Sequence, residues 1–114
     1  PTILVSHNIV NSMDSEYPAS LSKKVINELR NTLNFSGIVI TDDLAMGAVS
    51  EYVNANKGAT LALNAGNDMI ITSSFETMYN EVLNNVKSGI IKEEVIDMAV
   101  KRILAWKYTY KIIK

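Results

Sequence analysis

Residues 37–44 read GIVITDDL, an uncharged run from Gly37 to Thr41 that ends on the adjacent aspartates Asp42 and Asp43. A strand that is apolar on both faces belongs in the middle of a parallel sheet covered by helices, because an antiparallel strand with one wet face would alternate. This stretch therefore sets the fold class as α/β. Its end sets the functional question, since in parallel α/β folds the chemical side chains collect where strands finish and loops begin. Alternation directs Ile38, Ile40 and Asp42 to one face and Val39, Thr41 and Asp43 to the other. Both faces are apolar, so parity alone does not separate a turn-capping aspartate from a reactive one.

Upstream, Ile3 to Ser6 is a short strand-like run, and the polar stretch Asn8 to Ser20, with Pro18, reads as a long loop. Leu21, Val25, Ile26, Leu29 and Leu33 then recur at helical spacing, which predicts a helix ending near Asn34 with Ser20 or Ser22 as N-cap. Downstream, the pattern predicts a helix over about 56–64, stopped by Gly66, and a third strand over Met69 to Ile71. Ser73 and Glu76 have capping-box spacing, and Phe75, Met78, Val82 and Val86 form the stripe of the next helix, which Gly89 ends. In the last segment Val95, Met98, Ala99, Arg102 and Trp106 share a face, with acids early and bases late as the helix dipole favours. The order is three consecutive βα units plus a closing helix, joined by right-handed crossovers. So thin a sheet has two open edges, which implies pairing with further strands or self-association.

At 114 residues the chain makes one small unit. A composition 47% hydrophobic and 20% charged with net charge -1 is that of an ordinary globular protein and argues against a polyanion-binding surface, hence against nucleic acid. Without cysteine there is no disulfide framework and no thiolate metal site. No apolar run is long enough to span a bilayer. The start, PTILVSHNIV, lacks both an initiating Met and the basic and apolar regions of a signal peptide, so a longer parent chain is expected and cytoplasmic and secreted locations both stay open.

The strand ends collect His7, Asp42, Asp43, Thr72 and Ser73. His7, the only histidine, suits acid/base or ligand chemistry, but a lone strand-end histidine more often serves a loop hydrogen bond. One histidine and scattered acids make no metal-ligand spacing, and Gly47, Gly58 and Gly66 form neither a dinucleotide fingerprint nor a P-loop, so no metal and no cofactor is expected.

The blocks YPASLS (17–22), NFSGIVITDDLAMGAV (34–49), ATLALNAGNDMIIT (59–72) and SGIIKEEVIDMAVKRILAWK (88–107) resemble successive segments of glycoside hydrolase family 3, in its β-N-acetylhexosaminidase branch. The TDDLAM block carries most of the specificity. The resemblance implies that residues 1–114 are one partial domain, the C-terminal portion of a TIM (β/α)8 barrel, a fold of about 250 residues. It implies retaining release of terminal β-linked N-acetylglucosamine from cell-wall or chitin-derived sugars, with Asp42 as the nucleophile. It also implies that His7 and Met46 line the sugar. In this branch the acid/base resembles a histidine backed by an aspartate on an earlier loop, and a Lys-His-Phe-Pro-Gly substrate motif also lies earlier. Neither is in this chain, and His7 does not match the acid/base position. The implied partners are a carbohydrate substrate and the remainder of the barrel. Where the family often has a serine N-cap on the last helix, this chain has Lys92, which cannot cap in that way.

Two other classes compete. A receiver-like signalling module also gathers aspartates at strand ends, but it needs five strands, and Asp68 precedes its strand here. A non-catalytic α/β interaction domain is the third alternative.

Overall fold

A computed structural model of the chain describes residues 2–44 and 57–113. Within them, strands β1 (Thr2–Val5) and β2 (Ile38–Thr41) pair in parallel, Thr2 opposite Ile38 and Val5 opposite Thr41. Four α-helices lie among the described residues: α1 (Lys23–Asn27), α2 (Gly58–Ala65), α3 (Phe75–Lys87) and α4 (Glu93–Thr109).

The helix expected over 21–34 is instead built of three pieces. A 3-10 turn, Ala19–Leu21, precedes α1, and a π-helical turn, Glu28–Thr32, follows it. The break falls at Ser22 because its hydroxyl accepts from the Val25 N–H and so starts the helix at Lys23. Ser20 is spent elsewhere, as described below. Asp14 fixes this start from the preceding loop. Its Oδ1 accepts from the Glu16 and Tyr17 N–H groups, and its Oδ2 accepts from the Ser22 hydroxyl at 2.6 Å. The Ser22 hydrogen bond, followed by the Glu16 N–H, holds the Asp14 carboxyl below its ordinary value of 3.8. A carboxyl depressed by folding contributes stability above its unfolded pKa and loses it as pH falls through the lower folded value. Denaturation midpoints followed from about pH 5 to about pH 2 should therefore fall more steeply for the native chain than for Asp14→Asn, with equal slopes contradicting the assignment.

The third predicted strand, Met69 to Ile71, is reduced to a single parallel bridge, Met69 to Ile40. Its backbone still runs alongside β2: the Met69 N–H donates to the Val39 carbonyl, the Thr41 N–H to the Met69 carbonyl and the Leu44 N–H to the Ile71 carbonyl. The ladder stops because the Ile71 N–H is taken by the Thr41 hydroxyl at 3.3 Å rather than by main chain. Two strands and a bridged segment thus stand where three strands were expected.

Val39 on β2 packs with Val5, Ala19, Ile26 and Ala65, so this face of the sheet meets α1 and α2. Gly66 closes α2 in the left-handed conformation (φ 116°), and a Cβ there would stand 2.8 Å from Ile26 Cγ2, so both backbone and space require glycine. A second cluster joins Leu21, Leu44, Ala59, Ala62 and Met78 beneath α3. The capping box expected at Ser73 and Glu76 does not form. The helix begins one residue later, with Ser74 as N-cap, because the Ser73 N–H donates to Asp43 Oδ1. Phe75, assigned to the apolar stripe, is exposed against Tyr79, while Glu81 is buried and accepts from the Thr60 N–H and hydroxyl, both at 2.6 Å. Glu81 thereby caps the first turn of α2 from another helix. Lys92 is the N-cap of α4 with no side-chain cap bond, as expected, and Glu93 and Glu94 in the first turn supply the favourable charge instead.

The amino end of β2 is clamped by an ion cluster. Asp68 has a fully buried side chain whose two oxygens accept from Arg30 and Arg102, each at 2.6 Å, and Oδ2 also accepts from the Val39 N–H at 3.0 Å. Arg30 reaches further, donating to the carbonyls of Phe35 and Gly37. One carboxylate therefore ties the π-turn, β2, the segment after α2 and the terminal helix together. No helix among the described residues is long and apolar enough to cross a membrane.

Candidate active site

The opposite, carboxyl end of the sheet brings three chain segments together. Parallel register sets Val5 against Thr41, so continuing each strand by two residues sets His7 against Asp43. The ladder continues through the Asp42 N–H, which donates to the Val5 carbonyl at 2.9 Å. On the far side, the bridge of Ile40 to Met69 brings Thr72 and Ser73 up beside the same turn.

Alternation resolves the parity that sequence leaves open. Val39 faces the helices, so Ile38, Ile40 and Asp42 are directed to the other face of the sheet, where Leu4, paired with Ile40, is 61% exposed. Asp42 thus stands at the strand end on the face opposite Val39. It is half-buried, and its Oδ1 accepts from the Asp43 N–H at 2.8 Å. Oδ2 has no hydrogen-bond partner among the described residues. Asp43 turns the other way and its Oδ1 accepts from the Ser73 N–H at 3.2 Å, stitching the β2 turn to the loop before α3.

His7 is engaged at both nitrogens. Its Nε2 lies 2.8 Å from the Asp43 carbonyl oxygen and its Nδ1 lies 2.6 Å from the buried Ser20 hydroxyl. A carbonyl can only accept, so Nε2 carries the hydrogen; in the neutral ring, Nδ1 then accepts from Ser20. What remains to offer a ligand is ring surface. Met46 lies outside the described residues. Among the described residues no group of histidines and carboxylates could hold a metal ion. A groove of about 570 Å³ bordered by Asp14, Lys24, Asn64 and Lys92 sits on the helical side, away from this edge.

The family model described as the glycosyl hydrolase family 3 N terminal domain matches residues 1–106. The chain belongs to glycosyl hydrolase family 3. Among its relatives, a β-hexosaminidase of Haemophilus influenzae is 37% identical over 86 residues, which is 75% of this chain and 24% of that protein. Among solved structures, a family 3 β-N-acetylglucosaminidase from a Paenibacillus species superposes with a TM-score of 0.84 at 34% identity, covering 94% of this chain and 22% of that one. The β-N-acetylglucosaminidase of Thermotoga maritima gives 0.85 at 28% identity, over 92% of this chain and 24% of that one. This family 3 chain therefore spans about a quarter of the length of these relatives. The fold is that of part of the TIM-barrel domain of family 3.

In TIM barrels the carboxyl ends of strands carry the chemistry and the amino ends carry stability. In this family 3 chain Asp42 and His7 occupy the first, and the Asp68 cluster occupies the second. Sequence reasoning missed the Asp68 cluster. It also missed that His7 and Asp43 meet, although equal offsets from paired strand ends were available as the signal.

Proposed function

We propose that the protein carrying this chain is a retaining glycoside hydrolase that releases terminal β-linked N-acetylglucosamine, with Asp42 as its nucleophile. The observation that carries this reading is the Asp42 carboxylate at the carboxyl end of β2, on the face opposite the Val39 core cluster, with one oxygen held by the Asp43 N–H. It lies within the sequence block that most specifically resembles the family.

In the first step an Asp42 oxygen attacks the anomeric carbon as the glycosidic C–O bond breaks, and the leaving oxygen takes a proton from an acid outside these residues. In the second step water, activated by the same group, displaces Asp42 and restores the anomeric configuration. Asp43 holds the turn, and Met46 lines the sugar. Residues 1–114 make up the C-terminal segment of the catalytic barrel, and the acid/base group and the rest of the substrate site belong to the remainder of that barrel.

This division predicts that the isolated 114-residue chain does not hydrolyse an aryl N-acetyl-β-glucosaminide, whereas the full-length protein does. Release of the aryl alcohol, followed by absorbance for both, is the measurement. Turnover by the isolated chain comparable to that of the full-length protein would show that the acid/base lies within these residues and overturn the division.

A further inference from the structure

We infer that His7 is a positioning residue for Asp42, acting through the Asp43 carbonyl rather than on the sugar. The inference rests on the reading of Asp42 as nucleophile. The structure draws a continuous chain of hydrogen bonds from the core to the strand end. Asn67, 1% exposed, donates through Nδ2 to the Ser20 carbonyl and to the Ala62 carbonyl at the end of α2. The Ser20 hydroxyl, wholly buried, meets His7 Nδ1 at 2.6 Å, and the Ser20 N–H is itself tied to the Ser6 carbonyl. His7 Nε2–H meets the Asp43 carbonyl at 2.8 Å, and the Asp43 N–H holds Asp42 Oδ1.

The consequence is mechanical. Asp42 and Asp43 lie beyond the last regular pair of β2, where a turn could otherwise rotate about its backbone dihedrals. Four anchors among the described residues prevent this: the Asp42 N–H on Val5, the Ser73 N–H on the Asp43 carboxylate, the Leu44 N–H on the Ile71 carbonyl, and His7 on the Asp43 carbonyl. The last two grip the same peptide, the one that follows Asp43, by its N–H and by its carbonyl, and His7 holds the carbonyl with a ring whose own orientation is set by a buried serine. A nucleophile must meet the anomeric carbon along a narrow approach, and displacement by about 1 Å can cost about 10²-fold in rate. A role in positioning therefore falls on kcat and not on sugar affinity.

The test uses the full-length protein and the variants His7→Phe, His7→Gln and Ser20→Ala, with kcat and KM on an aryl N-acetyl-β-glucosaminide and the rate of covalent capture by an activated fluorinated N-acetylglucosaminyl fluoride. In that capture an Asp42 oxygen bonds to the anomeric carbon as fluoride leaves. His7→Phe keeps a ring but no donor, and it should lower both kcat and the capture rate by about 10- to 100-fold with KM changed less than about twofold. His7→Gln, which can still donate to the Asp43 carbonyl, should recover most of that loss. Ser20→Ala should lower kcat by a smaller factor at constant KM, and it carries the test if His7→Phe does not fold. Wild-type kcat and capture rate in His7→Phe, or in Ser20→Ala if that variant carries the test, would overturn the inference, as would a raised KM at constant kcat, which marks direct sugar binding. Capture on a residue other than Asp42 in the unmutated protein would overturn the reading of the nucleophile itself, and the inference with it.

Discussion

Asp42→Asn in the full-length protein is expected to lower kcat by roughly 10³-fold or more while leaving the thermal midpoint close to that of the parent. The substitution is close to isosteric, and the amide oxygen can still accept from the Asp43 N–H, so the turn retains the one hydrogen bond that the side chain makes among the described residues. What disappears is the charge and nucleophilicity that covalent catalysis requires. The loss should fall on kcat and kcat/KM together, because the covalent bond is made on the way through the transition state. Steady-state hydrolysis alongside a melting curve decides it. Hydrolysis within tenfold of the parent would remove Asp42 from the chemistry and favour the non-catalytic reading of this fold.

The second large effect concerns folding. Asp68→Asn is expected to destabilise the protein by about 3–5 kcal/mol, because it leaves Arg30 and Arg102, which flank the buried site, without their shared counter-charge. Against a typical domain stability of about 5–15 kcal/mol, that is enough to deplete the folded population. The cluster already carries two positive groups on one negative one, so loss of the carboxylate turns a partly compensated site into an uncompensated one. Arg30 is the more sensitive partner, with 15% of its side chain exposed against 24% for Arg102. Urea unfolding should show the midpoint falling sharply. A change below about 1 kcal/mol, the scale of a surface ion pair, would mean that water reaches the cluster and that it does not clamp β2.

These two aspartates mark what a single sequence discloses. The place of Asp42 at a strand end was legible because its signal is local: an apolar strand opened by Gly37 with a paired carboxylate at its end. The order of strands and helices was legible for the same reason, since periodicity, Gly66 and Gly89 act within a few residues. Asp68 was not, because its partners are 38 and 34 positions away and no periodicity links them. Glu81 was hidden in the same manner, as a polar residue on a helix whose buried role depends on Thr60 in another helix. The third strand was overestimated because Thr41 offers its hydroxyl to Ile71, a choice that alternation of apolar residues cannot reveal. The helix start stayed open between Ser20 and Ser22, which are equivalent as caps in sequence, and Ser22 is the cap. Their difference is tertiary, as Ser20 goes to His7 and Ser22 to Asp14.

His7 shows how a correct location can carry an incomplete role. Its place at a strand end brings it to the candidate site, while its two nitrogens are directed into the protein. The register of β1 against β2 makes this intelligible: the same offset that puts His7 near Asp42 puts it opposite the Asp43 carbonyl.

The most direct test of Asp42 as nucleophile is peptide mass spectrometry of the full-length protein after capture by the fluorinated N-acetylglucosaminyl fluoride. One added sugar is expected on the peptide containing GIVITDDL, localised to Asp42 by fragmentation and absent in Asp42→Asn. A sugar on any other residue, or inactivation with no covalent sugar, would contradict it.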